Sequence, residues 1–208
     1  MTTLTEPADR ASLALRARRL EYFTIIWNSL EGLIGVTTGT LAGSVSLVGF
    51  GVDSFIEVTS GAALLWRMSA DTDHCQRERR EARTLKIVGA CFLALAAYVA
   101  TDAAWNLWSR SPASPSTPGI VLAAASLVAM PLLSRAKRRV ARGLSSGAMH
   151  ADARQTEFCT YLSAILLGGL LLNALLGWWW ADSIAALVMT PVIAKEGVDG
   201  LRGRACCD

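Results

Sequence analysis

Charge is scarce in this sequence. Lys, Arg, Asp and Glu make up 18% of its 208 residues against 52% apolar residues, and the mean hydropathy is positive. Soluble domains carry about a quarter charged residues, so this composition argues against an ordinary soluble fold and for one surrounded by lipid. A cleavable leader is not expected either. Arg10, Arg16, Arg18 and Arg19 crowd the start without a separate apolar core ending in a small-residue cleavage site, so residues 1–20 read as a cytoplasmic tail.

Long apolar runs are plentiful. A membrane-spanning helix needs about 20 predominantly apolar residues, and six stretches qualify: 22–41, 44–66, 86–108, 119–134, 153–177 and 178–196. The expected fold is an all-α integral membrane protein of six transmembrane helices, with a membrane domain over 21–196 and a cytoplasmic tail over 197–208. Only about a dozen residues follow Glu196, so no soluble carboxy-terminal domain is expected. Lys and Arg are retained on the cytoplasmic side of short loops. All of the 20 basic residues except Arg110 fall before the first span, between the second and third, between the fourth and fifth, or at the end of the sixth. Both termini are therefore expected in the cytoplasm, in a plasma membrane of the bacterial type. Trp105, Trp108, Trp178, Trp179 and Trp180 mark the opposite interface. The basic charge sits beside spans, where orientation and anionic lipid account for it, and nucleic acid is not an expected partner. None of Cys75, Cys91, Cys159, Cys206 and Cys207 falls in an outer loop, so no disulfide framework is implied. Gly35, Gly39 and Gly43 recur every four residues, with Gly49, Gly51 and Gly61 in the next span; small residues let helices approach closely in lipid.

Against this apolar background the ionisable residues stand out, because each costs a few kcal/mol to insert and usually serves a function. Asp53 and Glu57 lie four apart in SLVGFGVDSFIEVTSGAALLW, one helical turn above each other on one face. Asp53 stands about 14 Å beyond Ser44 at 1.5 Å per residue, near the bilayer centre. No Lys or Arg is expected at that depth. Two such carboxylates need a cation or shared protons, which favours metal or proton binding over a buried salt bridge. A second group, His150, Asp152, Gln155, Glu157 and Cys159, opens the fifth span. Cys159 and Gln155 share a face, and a thiolate beside carboxylates suits Zn²⁺. Cys159 lies about two turns shallower than Asp53, so Glu57 with Cys159 is the nearer pairing. Glu31 and Asn28 in the first span, with Asp152 and His150, are candidates for a proton relay or an outer shell. Asp102 and Asp182, near the outer ends, are expected to be solvated. His74 and Cys75, and Cys206 and Cys207, are weak candidates for cytoplasmic metal capture, without a complete zinc-finger spacing.

The segments GSVSLVGFGVDSFIEVTSGAALLW, HADARQTEFCTYLSAILL and ADSIAALV resemble the second, fifth and sixth spans of the cation diffusion facilitator family. The likeness runs from about Gly43 to Leu187. It implies six transmembrane helices, export of Zn²⁺ or a related divalent cation in exchange for protons, and a homodimer. The family's two acidic ligands of the second span fall on Asp53 and Glu57. Its fifth-span ligands, a His or Asp followed by an Asp, fall on Gln155 and Cys159, where this sequence departs from the pattern. The expected function is a divalent-cation transporter with the ion as cargo and no permanent cofactor. The rival within the same fold is a non-transporting metal sensor or partner subunit. A membrane enzyme with Cys159 as nucleophile and His150 as base is disfavoured, since the two lie on opposed helix sides about 13 Å apart along the axis.

Overall fold

The structure, a computed structural model, describes residues 7–69, 74–144 and 146–202. These form six helices: α1 (Pro7–Ala42), α2 (Val45–Ser69), α3 (His74–Ser109), α4 (Thr117–Leu144), α5 (Gly147–Leu176) and α6 (Ala181–Leu201). Four contain stretches long and apolar enough to cross a membrane: Val45–Trp66, Gly89–Ser109, Thr117–Leu144 and Asp152–Leu176.

The first helix falls short of that measure because its polar residues form its buried stripe. Glu21, Thr24, Asn28 and Glu31 are all buried, while Tyr22, Phe23, Ile26, Leu30 and Leu33 face outward. A helix at the surface of a soluble protein shows the reverse pattern. Polar groups turned inward and an apolar face turned outward fit a lipid surround.

Successive helices run antiparallel. The start of α1, the junction of α4 with α5 and the end of α6, with most of the arginines, gather at one end of the bundle, called here the basic end. The five tryptophans named above gather at the other. At the centre stands α2, packed on α1, α3, α5 and α6. Leu47 and Phe50 of α2 meet Phe92, Leu95 and Val99 of α3, Leu162, Leu166 and Leu170 of α5, and Met189 and Ile193 of α6 in the main core.

The glycine spacing has the packing role expected of it at two of three positions. A Cβ on Gly35 would stand 3.0 Å from the Cα of Gly51, and one on Gly39 would stand 2.8 Å from the backbone nitrogen of Val48. Gly43 instead makes the α1–α2 turn with φ of 66°, a conformation that glycine adopts without steric cost.

Asp182 corrects an expectation. It is 1% exposed rather than solvated, because the first turn of α6 abuts the start of α2. Its carboxylate accepts from Ser44 Oγ at 2.5 Å, from the backbone nitrogen of Val45 at 3.0 Å and from Ser46 Oγ. It thus satisfies a helix-start N–H from another helix and places a negative charge at the positive end of the α2 dipole.

A Cβ on Gly51 would lie 2.6 Å from the backbone nitrogen of Val36, so Gly51→Ala must push α1 off α2. Overpacking of this kind costs about 1–3 kcal/mol. Thermal unfolding in detergent should show a lowered midpoint for Gly51→Ala and none for Gly168→Ala, whose Cβ meets nothing within 4 Å; equal midpoints would refute this seating of the two helices.

Candidate cation site

Asp53 and Glu57 project from adjacent turns of α2 and are 3% and 4% exposed. The expected pairing of Glu57 with Cys159 extends to Asp53: the thiol donates to Asp53 Oδ2 at 3.4 Å and also lies against Glu57. The cause is the start of α5, which begins at Gly147 with Ser146 as N-cap. Several helical residues precede the apolar run and carry Cys159 to the depth of Asp53. One turn closer to the basic end, Gln155 Oε1 accepts from Ser60 Oγ at 3.0 Å.

The first helix completes the surroundings. Asn28 Nδ2 donates to Glu57 Oε2 at 2.5 Å, and Ser54 Oγ donates to Glu31 Oε2 at 3.2 Å. The second oxygens of both carboxylates, Glu57 Oε1 and Glu31 Oε1, are buried without a hydrogen-bond partner, as is Gln155 Nε2. Buried polar atoms are almost always paired, so unpaired atoms in one neighbourhood mark a place where something polar binds or passes. Asp53, Glu57 and Gln155 line one narrow cavity between α2, α3, α5 and α6, together with Phe92, Phe158 and Glu196. In the sequence Glu196 marks only the end of the sixth span; the signal for it is its register on α6, which means little until the partner helix is known.

Among the described residues no three His, Cys, Asp or Glu side chains are grouped closely enough to hold a metal ion by themselves. The arrangement offers two stacked carboxylates, a thiol and an amide at the wall of a cavity, and a divalent ion would draw the carboxylates together.

The two outer-shell candidates on α5 sit differently, and Asp152 is an electrostatic neighbour of Glu57. His150 is exposed. Asp152 accepts from Lys137 Nζ at 2.5 Å, and the same ammonium lies 3.3 Å from Glu21. Lys137 is 0% exposed, although the sequence places it in a run of loop arginines. It is buried because α4 continues as a helix to Leu144, well beyond the expected end of its span, and carries Lys137 inward between α1 and α5. The expectation of no basic group near the acidic pair is corrected: this ammonium is ion-paired with Glu21 and Asp152 and also acts by charge on Glu57. Glu157 points elsewhere, to Arg138 at 2.9 Å. Cys206 and Cys207 lie outside the described residues, as do the side chains of His74 and Cys75 at the start of α3.

Apolar outer faces, inward-facing acids and four helices of spanning length define a multi-pass membrane protein with an acidic interior. Residues 22–203 match the family described as the cation efflux transmembrane domain, and the chain belongs to that family, the cation diffusion facilitators. It is similar to the cation-efflux pump FieF of Shewanella oneidensis, at 25% identity over 206 residues covering 96% of this chain and 67% of that protein.

Removing one partner of a buried ion pair costs about 3–5 kcal/mol, because the remaining charge loses its compensation. Lys137→Met should therefore lower the thermal midpoint in detergent markedly. Adding Glu21→Gln and Asp152→Asn to Lys137→Met should recover much of the loss; a triple variant no more stable than the single one would contradict the triad.

Proposed function

We propose that this protein moves divalent cations, zinc foremost, out of the cytoplasm in exchange for protons. In this reading all six helices span the membrane, both termini are cytoplasmic, and two copies pair through their spans. The observation that carries it is the stacked, buried pair Asp53 and Glu57, which faces a cavity with an unpartnered carboxylate oxygen and has no direct ion pair among those described.

The chemistry follows from the donors. Carboxylates must be deprotonated to bind a metal, so binding releases protons, and a pair that loses its cation on the far side takes protons back. Membership of the cation efflux family supports transport in general. Zinc is favoured by the thiol of Cys159 at Asp53, since Zn²⁺ accepts sulfur together with oxygen donors. One observation favours a second reading, a metal-sensing or partner subunit: where the family has carboxylate or imidazole ligands, Gln155 is a feeble one and Cys159 a soft one.

Purified protein in proteoliposomes loaded with a zinc dye and a pH dye separates the two. Zinc added outside should enter with opposite proton movement in wild type, and both signals should vanish in the Asp53→Asn plus Glu57→Gln variant. Zinc binding without flux in wild type would establish the sensor or subunit reading instead. In competition calorimetry, Cys159→Ser should weaken Zn²⁺ and Cd²⁺ binding while Mn²⁺ binding holds, because only the softer ions gain from sulfur; equal losses for all three would remove Cys159 from the ligand set.

A further inference from the structure

We infer that Glu196 of α6 is the carboxylate at which a divalent cation arriving from the basic end is first held before it reaches Asp53 and Glu57. This deepens the transport reading and rests on Asp53 and Glu57 being the cation site.

Three observations converge on Glu196. It lines the same cavity as Asp53, Glu57 and Gln155 although it comes from a different helix. Its level is fixed by the contact between Asp182 and the start of α2. From that contact α2 and α6 run in the same direction, Glu57 lying about 18 Å along one and Glu196 about 21 Å along the other at 1.5 Å per residue. Glu196 therefore stands slightly nearer the basic end than Glu57. It is also only partly buried, whereas Asp53 and Glu57 are enclosed.

The cavity walls between the carboxylates are apolar, including Phe92, Phe158 and Ile193. Low-dielectric walls of this kind focus the field of the acids lining them and raise the local concentration of cations. Two basic side chains, Lys195 and Arg154, stand close enough to act on Glu196; the Lys195 ammonium also lies 6.0 Å from the centre of the Phe158 ring, within cation–π range, so an arriving divalent cation competes with single charges at this carboxylate. Deeper in, Glu57 Oε1 and Gln155 Nε2 are buried without partners. A cation held at Glu196 thus has an unused carboxylate oxygen ahead of it, and after it leaves, the Gln155 amide has an acceptor in reach of the same cavity.

This role belongs to the approach of the ion and not to its exchange for protons. The test is the concentration dependence of zinc flux into proteoliposomes for wild type, Glu196→Gln and Glu196→Asp. Glu196→Gln should raise the half-saturating Zn²⁺ concentration about tenfold while the maximal rate stays within about twofold. Glu196→Asp should restore most of the affinity, and raising ionic strength should shrink the difference between wild type and Glu196→Gln. An unchanged half-saturating concentration, or a lost maximal rate with that concentration unchanged, would overturn the inference. If wild type carries no zinc at all, the transport reading fails on its own. Stopped-flow zinc association in detergent then decides the Glu196 question: slower association in Glu196→Gln supports it, and an equal rate refutes it.

Discussion

Two carboxylates one turn apart in the middle of an apolar helix set the terms for the whole bundle. Each costs a few kcal/mol to insert, and each repels the other. The rest of the architecture makes their position tolerable. Asn28 donates to Glu57 and the Cys159 thiol donates to Asp53. Both donors reach that depth only because α1 and α5 pack directly on α2. On the α1 side the closeness depends on Gly35, Gly39 and Gly51, where a methyl group would collide with backbone. Helix packing in lipid gains little from the hydrophobic effect, so close backbone contact and hydrogen bonding to buried acids hold these helices together.

The protein contains two buried acidic groupings, and they are handled differently. Glu21 and Asp152 share one ammonium, that of Lys137, so α1, α4 and α5 are joined by a charge arrangement that is nearly complete in itself. Asp53, Glu57 and Glu31 receive hydrogen bonds only from neutral donors; an unpartnered carboxylate oxygen occurs in both groupings, on Glu21 in the first and on Glu31 and Glu57 in the second. The first grouping holds its ammonium by direct ion pairs, whereas the second is reached by that same ammonium only at longer range, through Glu57.

The six helices and the central pair on α2 were legible in the sequence because both depend on spacing along one element: apolar runs of spanning length, and acids four apart. Boundaries were less so. Hydropathy ends a span where charges begin, but the helices continue, and α4 runs on to Leu144 and α5 starts back at Gly147. Lys137 and Cys159 were misplaced for that reason, one taken as a loop residue and the other as too shallow. Asp182 and Glu196 were obscured differently. Each sits near an end of α6, where solvent is the default partner for an acid, and each gains its meaning from α2, more than a hundred residues earlier. Spacing along one helix says nothing about which helix it faces.

The three hydrogen bonds from the start of α2 to Asp182 also have a mechanical meaning. They clamp α2 and α6 to each other at the tryptophan-rich end, so the two cannot slide apart there without exposing a buried carboxylate. Any change in their separation must therefore be a swing about that clamp, with a lever of about 18 Å down to the level of Glu57. A tilt of about 6° on that lever moves the helices apart by about 2 Å at the level of the cavity while the hydrogen bonds to Asp182 stay in place.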